Sequence, residues 1–340
     1  MAWYNENWQY RKKITITGQT GASTNYQIKL LIGESSGATG EDFDLGSNSE
    51  DFPSAKNDGG DLRFTDSDET TLLDFWVESV TGATPNRLAT VWVKVTDDLG
   101  SNQDIYCYYG NSSSPASGSN GDDTFILFDD FDGDSLDTDK WATSDNGGGA
   151  RSFSGSVMTQ STTSGGQRKI KPQSNSFGKI SYEGLHKTDG TRRSFEVSGI
   201  EKDASNQIQI FYDAFYKDNK DGWLATALIA GSWQANVLLE SRSTGDSVWR
   251  VITNNNKDTN GNLGVYDVNR VSKGTTSYAV NLGSSVALSF LGGRYIDANT
   301  TLETDWVFIR KIISTEPAFN TAGSEEENTK NTTDFFQFIN

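Results

Sequence analysis

The chain has 340 residues, of which 34 are glycine and only 5 are proline, and it carries 29 basic against 46 acidic side chains. Its formal net charge of −17 repels phosphate backbones and excludes nucleic acid as an expected partner. The single cysteine, Cys107, excludes an intramolecular disulfide. The single histidine, His186, excludes a multi-histidine metal site and argues against a Ser-His-Asp triad. No stretch is long and apolar enough to predict a membrane span.

The first third of the chain alternates between apolar and polar residues, as half-buried strands do. In "ATVWVKV", for example, Val91, Val93 and Val95 share one face. Other segments of strand length are separated by turn-rich gaps: "RKKITIT", "NYQIKLLI", "DLRFTD", "LLDFWVES" and "IYCYYG". We therefore predict a β-sandwich over residues 1–112.

A polar stretch rich in Gly, Ser and Asn follows, and residues 113–123 are predicted to be an interdomain linker. Residues 124–318 are again rich in predicted strands, with a hairpin whose turn lies at Asp218–Gly222. A single sheet of that many strands curls or splits, which favours a two-sheet jelly roll. Residues 319–340 are predicted to form a polar tail. Its apolar end, "DFFQFIN", either folds back onto its own domain or docks on a partner.

Several of these segments resemble the domain-of-unknown-function family 2341 and the concanavalin-like jelly roll that often follows it. The matching motifs are Trp8–Arg11, Asp61–Thr65, Thr90–Val95 and Tyr108–Asn111 for the first, and Phe128–Trp141 and Asp305–Pro317 for the second. The resemblance implies an all-β protein of two β-sandwich domains, the second a concanavalin-like jelly roll. It also implies surface display with glycan or partner contact, and it implies no reaction.

The aspartate-rich run that opens the second domain raises the question of what neutralises its charge. If this run forms a strand, either face takes an aspartate into the interior, and a buried carboxylate without a partner is too costly to keep. The first and last strands of such a jelly roll usually pair. One interpretation therefore places Arg310 and Lys311 beside Asp129 and Asp130 as cross-strand ion pairs.

The other interpretation is a calcium site, since hard oxygen ligands suit Ca²⁺. Asp132 and Asp134, with backbone carbonyls of the turn, are the first candidate. A second stretch has the spacing of a calcium loop, with candidate ligands Asn256, Asp258, Asn260 and Asp267. A hairpin loop rich in Asn and Gly has the same composition. Calcium is the only cofactor that the sequence suggests.

The segment "EVSGIE" is similar to the Glu-x-Asp-x-x-Glu motif of laminarinase-like glucanases, with Glu196 and Glu201 in the places of the two catalytic glutamates. Ser198 replaces the aspartate that tunes them, so we predict that the chain is not an enzyme. A glycoside hydrolase using Glu196 and Glu201 is an alternative.

Binding without chemistry is the other route to sugars, because exposed aromatic rings stack on sugar rings and polar side chains bond their hydroxyls. The candidate glycan-binding residues are Tyr212, Asp213, Trp233, Trp249 and Arg250. Trp223 shares its strand face with small apolar residues, which predicts a core position for it.

These observations together predict a virion-surface protein, a tail or fibre component that contacts host-surface glycans or neighbouring subunits. The N-terminus resembles no signal peptide, which favours the virion over a secreted protein. The alternative is a secreted or cell-surface adhesin or filament component. In either setting we expect a homo-oligomer or part of a larger assembly.

Overall fold

The structure is a computed structural model of the chain. It describes residues 3–113, 115–163, 166–174, 176–189, 195–213, 221–243, 246–257, 260–283, 285–294 and 300–329. The chain divides into two compact units, one formed by Met1–Ile126 with Thr315–Asn340 and the other by Leu127–Ser314. The described residues include no helix long and apolar enough to cross a membrane.

The N-terminal unit is a sandwich of two sheets. Its elements are β1 (Tyr10–Thr17), β2 (Tyr26–Gly33), β3 (Phe43–Asp44), β4 (Arg63–Thr65), β5 (Leu72–Leu73), β6 (Phe75–Thr81), β7 (Leu88–Val95), β8 (Gln103–Tyr109), α1 (Gly121–Thr124) and β25 (Ala318–Glu327). One sheet has the order β25-β1-β8-β4-β5 and the other β3-β2-β7-β6. Val91, Val93 and Val95 are fully buried, as their alternation predicts.

The chain after Pro317 is a strand of this unit, which differs from the polar tail predicted for residues 319–340. β25 pairs antiparallel with β1, and its acidic end lies opposite the basic run at the start of β1, with Arg11 opposite Glu326 and Lys12 opposite Glu325. Charge complementarity therefore gives the polar segment a place in the sheet. The apolar end "DFFQFIN" lies outside the described residues.

The described part of the predicted linker, residues 113–123, is tied to the same unit. Ser119 forms a β-bridge with Phe75, and Arg63 donates to the carbonyl of Ala116 over 2.5 Å. Asn120 then caps the short helical turn α1, its side chain accepting from the backbone of Asp123. Backbone and capping hydrogen bonds, which composition does not reveal, hold this polar stretch in place.

The second unit consists of two large sheets and is the predicted concanavalin-like jelly roll. Its strands are β9 (Leu127–Asp129), β10 (Trp141–Asn146), β11 (Gly149–Phe153), β12 (Met158–Thr162), β13 (Gln167–Pro172), β14 (Ile180–Thr188), β15 (Phe195–Asp203), β16 (Asn206–Asp213), β17 (Gly222–Ile229), β18 (Ser232–Trp233), β19 (Val237–Ser241), β20 (Arg250–Lys257), β21 (Asn260–Tyr266), β22 (Ser272–Tyr278), β23 (Ala287–Arg294) and β24 (Thr300–Lys311). One sheet runs β10-β13-β23-β15-β16-β17-β18, with β19 on β17. The other runs β11-β12-β24-β14-β20-β21-β22, with β9 on β24.

The buried aspartate at the entrance of this unit has an uncharged partner. β9 pairs with β24, the predicted pairing of first and last strands. Asp129, however, accepts a hydrogen bond from the Trp141 indole over 2.5 Å and one from the backbone of Phe131 over 2.8 Å. Arg310, one of the partners expected for Asp129, donates to Glu183 over 2.8 Å.

Candidate functional site

A row of four side chains crosses the outer face of the sheet that contains β15 to β18. Ile200, Ile208 and Ala227 lie side by side in this sheet and belong to the core. The adjacent positions face the other way, because side chains alternate along a strand. These positions are Glu201, Gln207, Leu228 and Trp233, each in register with the next. We name them the Glu201 row. At the usual strand separation the row is roughly 14 Å long.

The two ends of the Glu201 row differ in chemistry. Trp233 is 55% exposed, the largest aromatic side chain among the exposed hydrophobic residues described. Glu201 at the other end is partly buried, which raises the pKa of its carboxyl group, while Lys169 and Lys171 act in the opposite direction. The row therefore has an accessible apolar ring at one end and a carboxyl group at the other.

A polar floor lies beside the row. Gly199, Gln209 and Thr226 are in register across the same three strands. The Gln209 amide donates to Gln207 over 3.0 Å, and the Thr226 hydroxyl donates to the carbonyl of Gln234 over 3.0 Å. The two glutamines were not singled out from the sequence. The alternation of "NQIQIF", with both isoleucines in the core, is the signal that places them on the outer face.

The register of β15 determines which residues of the segment "EVSGIE" face outward and which face the core. A register shift between Glu196 and Ser198 places Glu196 opposite Phe211 and Ser198 opposite Ile210. The positions of Glu196 and Glu201 consequently lie on one face, although their spacing is odd. Ser198 faces the core, where Asn254 donates to its hydroxyl over 3.3 Å. The side chain of Glu196 lies outside the described part of the structure.

Two of the predicted glycan-binding residues lie at the end of β16. Tyr212 is 2% exposed and packs edge-on against Trp223, with 5.3 Å between ring centroids. Its ring is part of the core and has no face for a sugar, whereas the predicted core position of Trp223 is confirmed. The side chain of Asp213 lies outside the described residues.

Besides Trp233, two more were predicted: Arg250 begins β20 in the opposite sheet, and Trp249 directly precedes it. The Lys187 ammonium is 4.9 Å from the centroid of the half-buried Trp249 ring. Arg250 donates to both carboxylate oxygens of Glu240, over 2.7 and 2.6 Å. Arg250 is thus held in a bidentate ion pair. Of the predicted glycan-binding residues described, Trp233 is exposed on the outer face of its sheet whereas Tyr212 lies in the core, so these two do not share a site.

The calcium loop expected over Asn256–Asp267 is not formed. Asn256 lies opposite Gly261 and Lys257 opposite Asn260, so the described residues of this segment belong to a β-hairpin whose second strand ends at Tyr266, just before Asp267. Asn256 is buried and donates to the carbonyl of Gly283 over 3.1 Å. Since hairpin pairing extends the chain, it separates the ligands that a calcium loop folds together. Asp258 lies outside the described residues.

The remaining candidate metal ligands make other contacts or are solvated. Asp267 accepts from two backbone amides of its own turn, and Lys273 lies 2.9 Å from its carboxylate. Asp132 and Asp134 are exposed in the loop after β9. Among the described residues no group of three or more His, Cys, Asp or Glu side chains is placed to hold a metal ion. Calcium at Asp132 and Asp134 stays a prediction.

The sequence of the chain matches one family, described as Domain of unknown function (DUF2341), over residues 58–144. Three of the four motifs noted for that family, Asp61–Thr65, Thr90–Val95 and Tyr108–Asn111, fall within the match. None of the curated proteins compared with the chain is similar to it in sequence.

Similar folds occur among solved structures. A β-1,3-1,4-glucanase (lichenase) derived from a mouse hindgut metagenome is 12% identical, with 55% of this chain and 99% of that chain covered and a TM-score of 0.40. The Bacillus licheniformis β-glucanase is 14% identical, covering 55% and 98%, with a TM-score of 0.39. Peanut lectin is 10% identical, covering 56% and 99%, with a TM-score of 0.41.

Glucanases and lectins thus occur together among the structures similar to this chain. The prediction that the chain is not an enzyme is contradicted, since glucanases are among these structures. The low identities and TM-scores assign neither activity to this chain.

Proposed function

We propose that the second unit binds carbohydrate along the Glu201 row. The observation that carries this proposal is the register of Trp233, an exposed ring, with Gln207 and Glu201 on one face of a rigid sheet. Sugar rings combine C–H faces that pack on an indole with hydroxyls that need donors and acceptors at fixed positions. Side chains fixed on strands lose little freedom when a ligand binds, which favours affinity.

The setting that we propose is an exposed surface, on a virion as a tail or fibre component or on a cell as an adhesin. The strongly acidic charge and the turn-rich, all-β composition support a protein that remains soluble in such a setting. Its partners there are glycans and neighbouring subunits of the same surface.

A glycan array probed with wild-type protein and with Trp233→Ala tests the proposal. We expect at least a tenfold loss of binding in this variant, because truncating an aromatic side chain that dominates a contact costs about 2 kcal/mol or more. Trp249→Ala is the matched control, since this tryptophan lies before β20, outside the Glu201 row, and contacts Lys187; it should bind as the wild type does. The proposal fails if the wild type binds no glycan, or if Trp233→Ala binds as well as the wild type.

Glycoside hydrolysis is a second candidate, favoured by the register shift that places the positions of Glu196 and Glu201 on one face. Retaining and inverting glycosidases both use a pair of carboxyl groups across the scissile bond. Release of reducing ends from laminarin and lichenan measures the reaction. Glu201→Gln should abolish it, whereas Glu303→Gln, on the opposite sheet, should retain it. Absence of cleavage by the wild type eliminates this candidate.

A further inference from the structure

A polar groove of about 390 Å³ lies on the opposite sheet, over β20, β21 and β22. The residues that line it include Thr253, Asn255, Lys257, Asn262, Tyr266, Thr275 and Ser277. Strand register places Asn255, Asn262 and Ser277 in one row, and Thr253 and Thr275 in the next row on either side of Gly264. Hydroxyl and amide groups therefore stand in a regular array across three strands.

An aromatic ring lies across the groove floor. A Cβ atom at Gly264 would come within 2.6 Å of the Tyr266 ring and 3.0 Å of the Thr253 hydroxyl. The absence of a side chain at Gly264 thus allows the Tyr266 ring to lie against the sheet. Burial raises the pKa of Tyr266, and a hydrogen bond from the Thr253 side chain acts against this. The tyrosine remains a neutral hydroxyl at physiological pH.

A hydrogen-bond chain fixes the wall of the groove. The Ser181 hydroxyl donates to the side-chain oxygen of Asn255 over 2.5 Å, which leaves the amide –NH₂ of Asn255 for a ligand. Ser181 also lies 3.2 Å from Glu183. Glu183 is held by Arg310 at 2.8 Å and Arg270 at 2.7 Å. A wall residue that is hydrogen-bonded beside a buried ion triad is preorganised.

The charge of the groove is opposite to that of the chain. None of the described residues that line it is acidic, and one, Lys257, is basic, although acidic residues outnumber basic ones by 46 to 29 in the sequence. An ammonium group among neutral donors and acceptors selects a ligand that carries both hydroxyls and a negative charge.

We propose that this groove is a second binding site and that it takes an acidic sugar, a polyhydroxylated ring that bears a carboxylate. Lys257 pairs with the carboxylate. Asn255, Asn262, Thr275 and Ser277 bond the hydroxyls, and Tyr266 supports the ring. The site is independent of the Glu201 row, because it lies on the other sheet and uses none of the same residues.

Isothermal titration with D-glucuronate and, separately, with D-glucose tests the proposal on the full chain. We expect glucuronate to bind and glucose to bind at least tenfold more weakly. Lys257→Gln should weaken glucuronate binding at least tenfold. Lys202→Gln, an exposed lysine of β15 in the opposite sheet, is the matched control and should leave it unchanged. Thermal unfolding of both variants at the wild-type temperature confirms that the fold is retained.

Three results would overturn the proposal: no binding of glucuronate, equal binding of glucose and glucuronate, or wild-type affinity in Lys257→Gln. The test also separates the two sites. Loss of array binding in Trp233→Ala with glucuronate binding retained would support both sites, and failure of the Glu201 row alone leaves this one standing.

Discussion

Arg11 and Glu326 lie 315 positions apart in the sequence and opposite one another in the sheet of the N-terminal unit. The Arg11 guanidinium donates to one oxygen of Glu326 from Nε over 2.9 Å and from Nη2 over 2.7 Å. Arg11 is 1% exposed, and its guanidinium carbon lies 4.6 Å from the ring centroid of Trp3 and 4.7 Å from that of Tyr106. The pair ties β25 to β1 from within an aromatic enclosure.

We predict that Glu326→Gln lowers the free energy of unfolding by about 1–2 kcal/mol, because a charge-assisted bond to a buried guanidinium is lost while Glu69 remains beside it. Glu327→Gln, an exposed neighbour on the same strand, is the control and should change it by less than about 0.5 kcal/mol. Urea denaturation of both variants measures the difference. Equal stability of the two variants would show that the pair of Arg11 with Glu326 adds nothing to the free energy of unfolding.

The pairing of β1 with β25 could not be predicted from the sequence alone. The acidic run at 325–327 falls in the predicted polar tail, and the basic run at 11–13 opens a predicted strand. Neither run identifies its partner, because a charged run is equally consistent with contact to solvent. Only the pairing of β1 with β25 makes the two runs complementary. Contacts of such long sequence separation are not encoded in local pattern.

Asp129 offers a second test of a buried polar contact. Its carboxylate is 8% exposed, and burial raises its pKa against the hydrogen bonds from Phe131 and Trp141. Asp129→Ala would leave the indole N–H of Trp141 buried without this acceptor. We expect a loss of about 1–3 kcal/mol of stability from this unsatisfied donor. Asp132→Ala, exposed in the next loop, should be nearly neutral in calorimetry, and a comparable loss there would contradict the assignment.

The candidate site was predicted in part. The sequence named Trp233 as a candidate but did not predict that it is exposed. Two other tryptophans in similar strand-rich segments have different environments, since Trp223 lies in the core and Trp249 contacts Lys187. Alternation identified the strands but not the register shift in β15. A β-bulge adds one residue without a distinctive local signal. That the positions of Glu196 and Glu201 share a face therefore came only from the pairing with β16.

That register predicts the outcome of restoring the glucanase-like motif. Ser198→Asp places a carboxylate in the core beside Asn254 instead of on the outer face with Glu201. We expect a loss of stability of several kcal/mol, since one amide does not repay the desolvation of a charge, and no gain in glucan cleavage. Ser198→Ala, which removes only the hydroxyl, should cost about 1 kcal/mol. Wild-type stability in Ser198→Asp would show that residue 198 faces solvent.

His186 is a fully buried residue of β14, where a neutral ring satisfies both of its nitrogens. The Tyr182 hydroxyl lies 2.6 Å from Nε2, and the Thr304 hydroxyl lies 3.0 Å from Nδ1. Burial lowers the pKa of His186 to about 3, below the value of about 6.5 of an exposed imidazole. Between these two values the unfolded chain binds a proton that the folded chain does not.

The stability that His186 contributes is therefore complete above pH 6.5 and is lost as the pH falls towards 3. From pH 7 to pH 5 the loss should be about 2 kcal/mol. Carboxyl groups with raised pKa, such as that of Asp129, act in the opposite sense, because their stabilising effect is fully present at low pH and declines as the pH rises. Urea denaturation of wild type and His186→Gln at pH 7 and pH 5 measures the effect of pH on both proteins. The carboxyl groups are the same in both, so their contribution cancels when the two are compared. Since the chain has 1 histidine, the difference in pH dependence belongs to His186. Identical pH dependence in the two proteins would mean that the ring is accessible to protons in the folded state.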